Sequence, residues 1–396
     1  MTRPGAPPFD PLSAAVTPAL DTPLAELLAE RITAHGPISF ADWMDACLYH
    51  PQHGYYRREA PTVGRDGDFL TSPEVHPLFG GAVAYLVAAA WEQLGRPAPF
   101  RIAEIGPGSG ALAESMLRWL YGHAQECAEA LKLSLVEPNS YAAGRQQVRL
   151  RTFDTPIEWR VEIDDLSADQ HLIVANELLD ALPVHRLQYL DCEWRELYVA
   201  YSPSAGFHDL ESQLSDARLL DPLQEHPGAD ASEGQIAEIS PLRAEMVHRL
   251  ATRLDPQRSL LLLFDYGYER ERLYAPWRRD GTLLTTRNHV PSDNPYSRPG
   301  EQDISCHIDL EQFRAAARDA GLLPYSIVSQ AEWLRALGAA ILPPVAEAPG
   351  GMANYLAARR AIDALTDATG LGRIAVLAAA RGEIGTLPGL SDGSDG

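Results

Sequence analysis

The sequence predicts an α/β fold in which helices cover both faces of a doubly wound parallel sheet. Short apolar segments alternate with helical segments of about ten to fifteen residues from about residue 98 onward, a pattern typical of parallel sheets. The segment 259–265 is apolar almost throughout, which indicates a strand buried on both faces. The glycine-rich segment 106–110 lies between the first of these strands and a helix.

Helix caps and apolar periodicity predict the helices and strands along the chain. A first helix is expected at about 21–35, because Thr22 can cap it and Pro23 suits its first turn. Ser39 caps a second helix, and an alanine-rich third helix spans 77–94. Helices then follow at 111–124, 140–150, 241–253 and 310–320, and strands at 100–106, 133–137, 158–163, 171–177, 259–265, 323–329 and 374–379.

The composition is that of a globular protein with an acidic surface. The 396 residues carry a formal charge of −21, and 45% of them are hydrophobic. Such a surface disfavours nucleic acid and anionic lipid and suits a cationic partner. Lys132 is the only lysine, so the phosphate-binding motif GxxxxGK[ST] is absent. The longest apolar stretch, 82–91, is too short for a spanning helix, which needs about 20 residues.

The cysteines indicate a reducing compartment. Cys47, Cys127, Cys192 and Cys306 lie far apart without a CxxC pair, which argues against a disulfide framework or a zinc site. We expect no metal site. The proline-rich N-terminus lacks the apolar core of a signal peptide. A cytoplasmic location is therefore expected.

The glycine loop predicts a ligand at the end of the first strand. Glycines let a ligand approach bare backbone, and the following helix N-terminus presents free N–H groups. The loop also fits the dinucleotide pattern, and a tight turn without a ligand is a third interpretation. Glu104 and Pro107 favour S-adenosylmethionine, because the acid suits an ammonium group and the proline removes an N–H that a pyrophosphate would use. Glu137, ending the second strand, could accept both ribose hydroxyls. The predicted cofactor contacts here are Glu104, Gly106, Pro107, Gly108, Gly110 and Glu137.

Three polar residues lie at the carboxyl end of the fourth strand or just after it, where ligands lie in doubly wound sheets. Asn176 offers a donor and an acceptor and is predicted to contact the cofactor near the transferring methyl. Glu177 could hold a guanidinium by paired hydrogen bonds. Asp180 lies one helical turn further on and could instead cap a helix.

Several motifs in one order resemble a known family. They occupy 48–56, 67–74, 104–110, 176–184, 281–283 with His289, 294–295 and 299–303. Together they resemble the MidA-type family of class I methyltransferases, the family of the mitochondrial complex I assembly-factor protein arginine methyltransferase. The segment 284–288 departs from the usual family pattern and puts the substrate in doubt.

The resemblance implies a Rossmann-like sheet of seven strands, S-adenosyl-L-methionine as cofactor, and transfer to a guanidinium nitrogen of a partner protein. It places 67–74 over the active-site mouth. In that segment Asp68, Thr71 and Ser72 could hold the methionine carboxylate and ammonium, while Thr71 or Ser72 could also cap a helix. Glu177 would orient the guanidinium and, with Asp180 or His289, remove its proton.

Other functions stay open at this point. A small-molecule methyltransferase, a cofactor-binding assembly factor without turnover, and a nicotinamide dehydrogenase are the alternatives. The expected partner is a protein segment bearing arginine, with no nucleic acid and no membrane; a homodimer is compatible with the sequence.

The predicted organisation is a flexible leader 1–20, a helical segment and active-site cover 21–97, a cofactor half 98–183, an insertion 184–258, the rest of the core 259–386 with a substrate-side insertion 272–309, and a flexible tail 387–396.

Overall fold

The structure, a computed structural model, describes residues 20–64, 67–224, 231–341 and 351–391. The predicted leader thus lies outside the described residues except for residue 20, and so do residues 392–396 of the predicted tail. The described part of the tail is not loose, because Leu387 and Leu390 are buried and the Trp333 indole donates to the Pro388 carbonyl at 3.1 Å. The expectation of flexibility from residue 387 is therefore wrong for residues 387–391.

Helices begin where the sequence supplies caps. The Thr22 and Ser39 hydroxyls accept hydrogen bonds at 3.1 and 3.0 Å from backbone N–H groups three residues on, as predicted. Asn139 and Asp309 cap later helices in the same way. The α-helices are α1 (Pro23–His35), α2 (Phe40–Tyr49), α3 (Ser72–Val75), α4 (Pro77–Gln93), α5 (Ala111–His123), α6 (Gln125–Ala130), α7 (Ser140–Leu150), α8 (Asp221–Gln224), α9 (Pro241–Ala251), α10 (Arg270–Leu273), α11 (Leu310–Asp319), α12 (Gln330–Leu337) and α13 (Gly351–Leu365).

The strands form one large central sheet and several smaller ones. They are β1 (Ile38–Ser39), β2 (Phe100–Ile105), β3 (Leu131–Val136), β4 (Ile157–Arg160), β5 (Leu172–Asn176), β6 (His185–Leu190), β7 (Glu193–Ser202), β8 (Gly206–Ser212), β9 (Ile236–Ile239), β10 (Ser259–Asp265), β11 (Gly267–Tyr268), β12 (Leu284–Arg287), β13 (Val290–Ser292), β14 (Asp303–Ser305), β15 (Ile308–Asp309), β16 (Leu323–Pro324), β17 (Val328–Ser329) and β18 (Ala375–Arg381).

The central sheet has the predicted doubly wound form. Strands β4, β3, β2, β5 and β10 are parallel and lie in that order, and β18 pairs antiparallel with β10. The strand predicted at 323–329 is divided into β16 and β17, which both pair antiparallel with β18. The two short strands share one edge position, so the sheet has seven positions filled by eight strands. The predicted α/β fold class is confirmed.

Two apolar cores cover the faces of this sheet. On one face α4, α5 and α12 pack on side chains such as Phe100, Leu133 and Phe264. On the other, α9 and α11 pack on the alternate residues of the same strands. The segment 21–97 is predicted as a helical segment and active-site cover. Its last helix, α4, instead packs on the central sheet in the first apolar core.

The insertions build a cap beside the sheet. Within the predicted insertion 184–258, β6 and β7 form a hairpin, and β8 and β9 extend it into an antiparallel sheet. Helices α1 and α2 pack on this sheet and on β14 through a third apolar core. Among the described helices, none is long and apolar enough to cross a membrane.

Candidate active site

The glycine loop turns the chain sharply from β2 into α5. Gly106, Gly108 and Gly110 have φ angles of 64°, 54° and 80°, a region that favours glycine. The Gly106 N–H donates to the Val136 carbonyl at 3.1 Å, which ties the loop to the end of β3. The loop backbone therefore lies open at the carboxyl end of the sheet.

A cavity of about 900 Å³ lies at this end of the sheet. Nine of the thirteen predicted site residues line it, namely Thr71, Glu104, Gly106, Pro107, Gly108, Glu137, Asn176, Glu177 and Asp180. They come from the ends of β2, β3 and β5 and from the segment before α3, as expected for a ligand site in a doubly wound sheet. Asp68, Ser72, Gly110 and His289 are not among its lining residues.

Two acids lie beside the glycine loop in this cavity. Glu104 is 3% exposed, and its Oε2 has no hydrogen-bond partner among the described residues. Burial raises the pKa of Glu104 to about 8. The two oxygens of Glu137 accept from the Asn139 backbone N–H at 2.8 Å and from the Gln146 amide at 3.1 Å, and burial raises its pKa as well. This end of the cavity offers acceptors to a ligand that carries N–H or O–H donors.

A second group of acids lies beyond the end of β5. Glu177 has a φ of 53°, and its carboxylate accepts from the Asn176 amide at 3.0 Å. Oδ1 of the buried Asp180 has no partner among the described residues, and neither has Oδ1 of Asn176. Asp303 of β14 completes the group and accepts from the Tyr56 hydroxyl at 2.7 Å.

Burial raises the pKa values of all three carboxyl groups, and the charge of the neighbouring Asp265 raises those of Glu177 and Asp180 further. The pKa of Glu177 rises to about 8, and that of Asp180 rises well above its usual range. The pKa of Asp303 rises to about 6, since the Tyr56 hydrogen bond opposes part of the burial effect. A cation entering this group would favour the ionised forms of these carboxyls.

Asp265 holds the turn that carries Glu177 and Asp180. Its Oδ2 accepts from the backbone N–H groups of Leu178 and Leu179 at 3.1 and 2.7 Å. From the other side, the buried Arg243 donates at 2.9 Å to the carbonyls of Leu179, Cys306 and His307. The turn is thereby fixed between β10 and the chain that follows β14.

Three of the predicted site residues act in the framework instead. Asp68, predicted to contact the cofactor, forms an ion pair with Arg58 and accepts from the Tyr55 hydroxyl at 2.9 Å and the Asn288 N–H at 2.6 Å. Burial would raise the pKa of Asp68, yet these bonds hold it below its usual value. The buried Ser72 hydroxyl donates to Gln330 at 2.8 Å. Gly110 caps α5.

His289, predicted to be catalytic, is exposed at the turn between β12 and β13. Its backbone N–H donates to the Asp68 carbonyl at 2.7 Å. Since its ring does not line the cavity, the structure does not support proton removal by His289.

No individual role was predicted for Asp303, Tyr266, His307 or Tyr56. All four line the cavity. Asp303 is the last residue of the motif 299–303. An acidic residue within a motif shared with the family is the sequence signal that could have identified it as a site residue. Among the described residues no group of three or more His, Cys, Asp or Glu side chains is arranged to hold a metal ion.

Comparison with known proteins gives a consistent family. Residues 82–328, more than half of the chain, match the model of a family described as "Putative S-adenosyl-L-methionine-dependent methyltransferase". The chain is 30% identical to the Drosophila melanogaster protein named "Protein arginine methyltransferase NDUFAF7 homolog, mitochondrial", over 75% of this chain and 70% of that one. It is 27% identical to the Bos taurus NDUFAF7 protein over 80% of this chain and 74% of that one.

The fold is also similar to a solved structure with a bound ligand. A crystal structure of a Burkholderia thailandensis protein bound to S-adenosyl-homocysteine has a TM-score of 0.82 and 28% sequence identity, covering 92% of this chain and 94% of that one. A native crystal structure of a COG1565 superfamily protein from Burkholderia thailandensis has a TM-score of 0.79 and 28% sequence identity, covering 94% of this chain and 95% of that one.

The names of the relatives correct one expectation. They describe mitochondrial proteins, so the predicted cytoplasmic location is wrong. That prediction rested on unpaired cysteines and on the lack of a signal peptide, which argue against an oxidising compartment but do not distinguish one reducing compartment from another. The predicted resemblance itself is confirmed, and S-adenosyl-L-methionine is the cofactor of the matched family. The chain belongs to this family of S-adenosyl-L-methionine-dependent methyltransferases, the MidA-type family of the NDUFAF7 proteins.

Proposed function

We propose that this methyltransferase transfers a methyl group to a guanidinium nitrogen of an arginine in a partner protein. The observation that carries the proposal is the group of carboxyls formed by the half-buried Glu177 and the buried Asp180 and Asp303, in which Asp180 Oδ1 has no partner among the described residues. The names of the relatives, which are protein arginine methyltransferases, support it.

The other end of the cavity suits the cofactor. The unpaired Glu104 Oε2 would accept from the ammonium of the methionine moiety, and Glu137 would accept from the ribose hydroxyls. Gly108 would let the cofactor approach the loop backbone closely. A side chain at this position would crowd the space, since its Cβ would lie 3.1 Å from Val63. Thr71 and Asn176 would complete this contact set. When bound, S-adenosyl-L-methionine supplies a methyl group on a positively charged sulfur.

The substrate end suits a guanidinium. A guanidinium presents five N–H donors in a fixed plane, which two carboxylates can accept in pairs. Glu177 and Asp180 follow the same strand end and face the same cavity, so they would orient that plane. Burial first, and then the charge of Asp265, raise the pKa values of both carboxyls, and a cationic side chain beside them would relieve this cost of their charged forms.

Glu177, assisted by Asp180, is also the proposed acceptor of the proton that the guanidinium nitrogen loses. The pKa of about 8 lies close to neutrality, where a general base is most effective. The cap of α1, α2 and β12–β14 would exclude water from this end. In this proposal residues 21–64, 67–76 and 272–309 form the substrate-side cover, and residues 98–183 form the cofactor half.

The test is methyl transfer by the purified chain from labelled S-adenosyl-L-methionine. Arginine peptides are offered beside the same peptides with lysine at that position, and a small-molecule extract is a third arm. We expect label on arginine alone, located by mass spectrometry, and no label with Asp180→Asn, which should still bind S-adenosyl-homocysteine. Label only in the small-molecule arm, or equal label on lysine, would contradict the proposal.

A further inference from the structure

Three arginines surround one tyrosine ring near the substrate end. The guanidinium carbons of Arg272, Arg278 and Arg373 lie 4.7, 4.8 and 5.3 Å from the centroid of the Tyr268 ring. Arg278 also lies 4.9 Å from the ring of the exposed Trp277. The ring faces offset part of the repulsion between the three cations.

This group, here called the arginine rim, is unusual in so acidic a chain. In the described residues none of its three members forms a salt bridge, whereas Arg58, Arg249 and many others do. The nearby Glu269 is paired with Arg314 at 2.6 Å. The Arg278 Nε donates to the Arg272 carbonyl at 3.3 Å, and its terminal nitrogens have no hydrogen-bond partner within the described ranges.

The arginine rim adjoins the cavity. Arg373 lines the cavity together with Tyr266 and His307. The His307 ring stacks on Tyr266 at 6.0 Å and meets Tyr268 edge-on at 5.0 Å, so these rings connect the cavity wall to the rim. Burial first, and then the charges of Arg278 and Arg243, lower the pKa of His307 to about 4. The histidine is neutral at physiological pH and adds no charge of its own.

We propose that the arginine rim binds a carboxylate side chain of the partner protein, adjacent in sequence to the arginine whose guanidinium enters the cavity. The inference rests on the proposed function and narrows its substrate to segments of mixed charge. Carboxylates inside the cavity would select the target arginine, and free guanidinium groups at its rim would select an acidic neighbour. A uniformly basic segment would be attracted by the carboxylates in the cavity but repelled by the arginine rim.

Arginine suits this task because its planar fork can hold a carboxylate by two parallel hydrogen bonds. Stacking on Tyr268 and Trp277 keeps two guanidinium planes ordered before the partner arrives, which reduces the entropy lost on binding. The contacts remain exposed to solvent, so each should change affinity only severalfold and weaken with salt.

The experiment compares peptides that carry one arginine flanked by glutamate with the same peptides carrying glutamine. Binding to the protein with S-adenosyl-homocysteine is measured by fluorescence anisotropy, and methyl transfer is measured separately. We expect the wild type to prefer the glutamate peptides by about fivefold or more, with a preference that falls as salt rises. Arg373→Glu should remove or invert the preference and instead favour peptides flanked by lysine.

Arg318→Glu, an equal charge change at the exposed end of α11, is the matched control and should leave the preference intact. Equal binding of glutamate and glutamine peptides by the wild type would overturn the inference while arginine methylation persists. An unchanged preference in Arg373→Glu would overturn it too. Absence of transfer to any arginine peptide would instead contradict the proposed function, and the anisotropy preference would still report on the rim.

Discussion

The Tyr56 hydroxyl donates a 2.7 Å hydrogen bond to the Asp303 carboxylate, across 247 residues of sequence. The bond joins the N-terminal segment to β14 of the second insertion. It also holds down the pKa of Asp303, which burial raises to about 6. One hydroxyl therefore connects two halves of the cap and sets the charge of one carboxyl in the cavity.

Replacing this tyrosine by phenylalanine should shift the acid limb of the pH profile. Without the Tyr56 bond the pKa of Asp303 rises above about 6, so a higher pH is needed to ionise the carboxyl. A hydrogen bond to a charged acceptor contributes on the order of 1.5–3 kcal/mol. The acid limb of the pH profile of kcat/KM should therefore move to higher pH by about one pH unit or more. Tyr49→Phe is the control, because that hydroxyl donates to the Ala181 carbonyl. An unmoved limb in Tyr56→Phe would mean that Asp303 does not titrate in catalysis.

Replacing Glu177 by glutamine should reduce turnover much more than cofactor affinity. The amide keeps the size of the side chain but loses the charge that pairs with guanidinium and the site that takes the proton. We expect kcat and kcat/KM for the arginine substrate to fall together, by at least about a hundredfold. Steady-state kinetics with both substrates varied, and calorimetry with S-adenosyl-homocysteine, give the two readouts. An equal loss in cofactor affinity would assign Glu177 to the cofactor end.

Replacing Glu104 by glutamine should stabilise the ligand-free protein at alkaline pH. The pKa of Glu104 is raised from 4.5 to about 8 by burial, so between these values the folded chain binds more protons than the unfolded chain. Its contribution to stability is therefore lost as pH rises through that window. Glu104→Gln should melt several degrees above wild type at a pH above 8 and close to wild type near pH 5.

Two further measurements separate this prediction from a general effect. Glu129→Gln, which changes an exposed acid on α6, should leave the melting temperature nearly unchanged at both pH values. Glu104→Gln should also bind S-adenosyl-homocysteine more weakly. A pH-independent change in melting temperature would refute the buried, unpaired state of Glu104.

Two helix glycines should respond oppositely to alanine. At Gly80 of α4 a Cβ would lie 2.2 Å from the Ser115 Oγ of α5, so Gly80→Ala should cost about 1–3 kcal/mol of unfolding free energy. At Gly144 of α7 a Cβ would meet nothing within 4 Å, so alanine there should stabilise by roughly 0.5–1 kcal/mol. Denaturant unfolding measures both. Equal effects would show that α4 and α5 are not in close contact at Gly80.

The predicted site residues that line the cavity share a local cause. Glu104, Glu137 and Glu177 each lie at or next to the carboxyl end of an apolar strand, and parallel strands bring those ends to one edge. Their position therefore follows from the alternation of strands and helices alone. Gly106 and Gly108 follow from the same rule, because the turn after β2 needs positive φ angles.

The residues that were missed depend on contacts far apart in the chain. Asp303 reaches the cavity only because β14 pairs with β12, and because α1 and α2 pack behind both insertions. No local pattern distinguishes Asp303, which contacts the cavity, from Asp68, which is bound by Arg58 in the framework. His289 was misplaced for the same reason, since its orientation depends on the turn between β12 and β13.

The place of β18 has a consequence for biosynthesis. This strand lies between β10 and the edge strands β16 and β17, all of which precede it in the chain. Until residue 381 has left the ribosome, one edge of β10 lacks its partner strand β18. The seven residues of β10, all buried in the folded protein, then lie at an open sheet edge. Such an edge invites pairing with other nascent chains, so premature termination before residue 375 should yield aggregates rather than a partly active enzyme. Emergence of β18 from the ribosome is thus the step that closes the sheet.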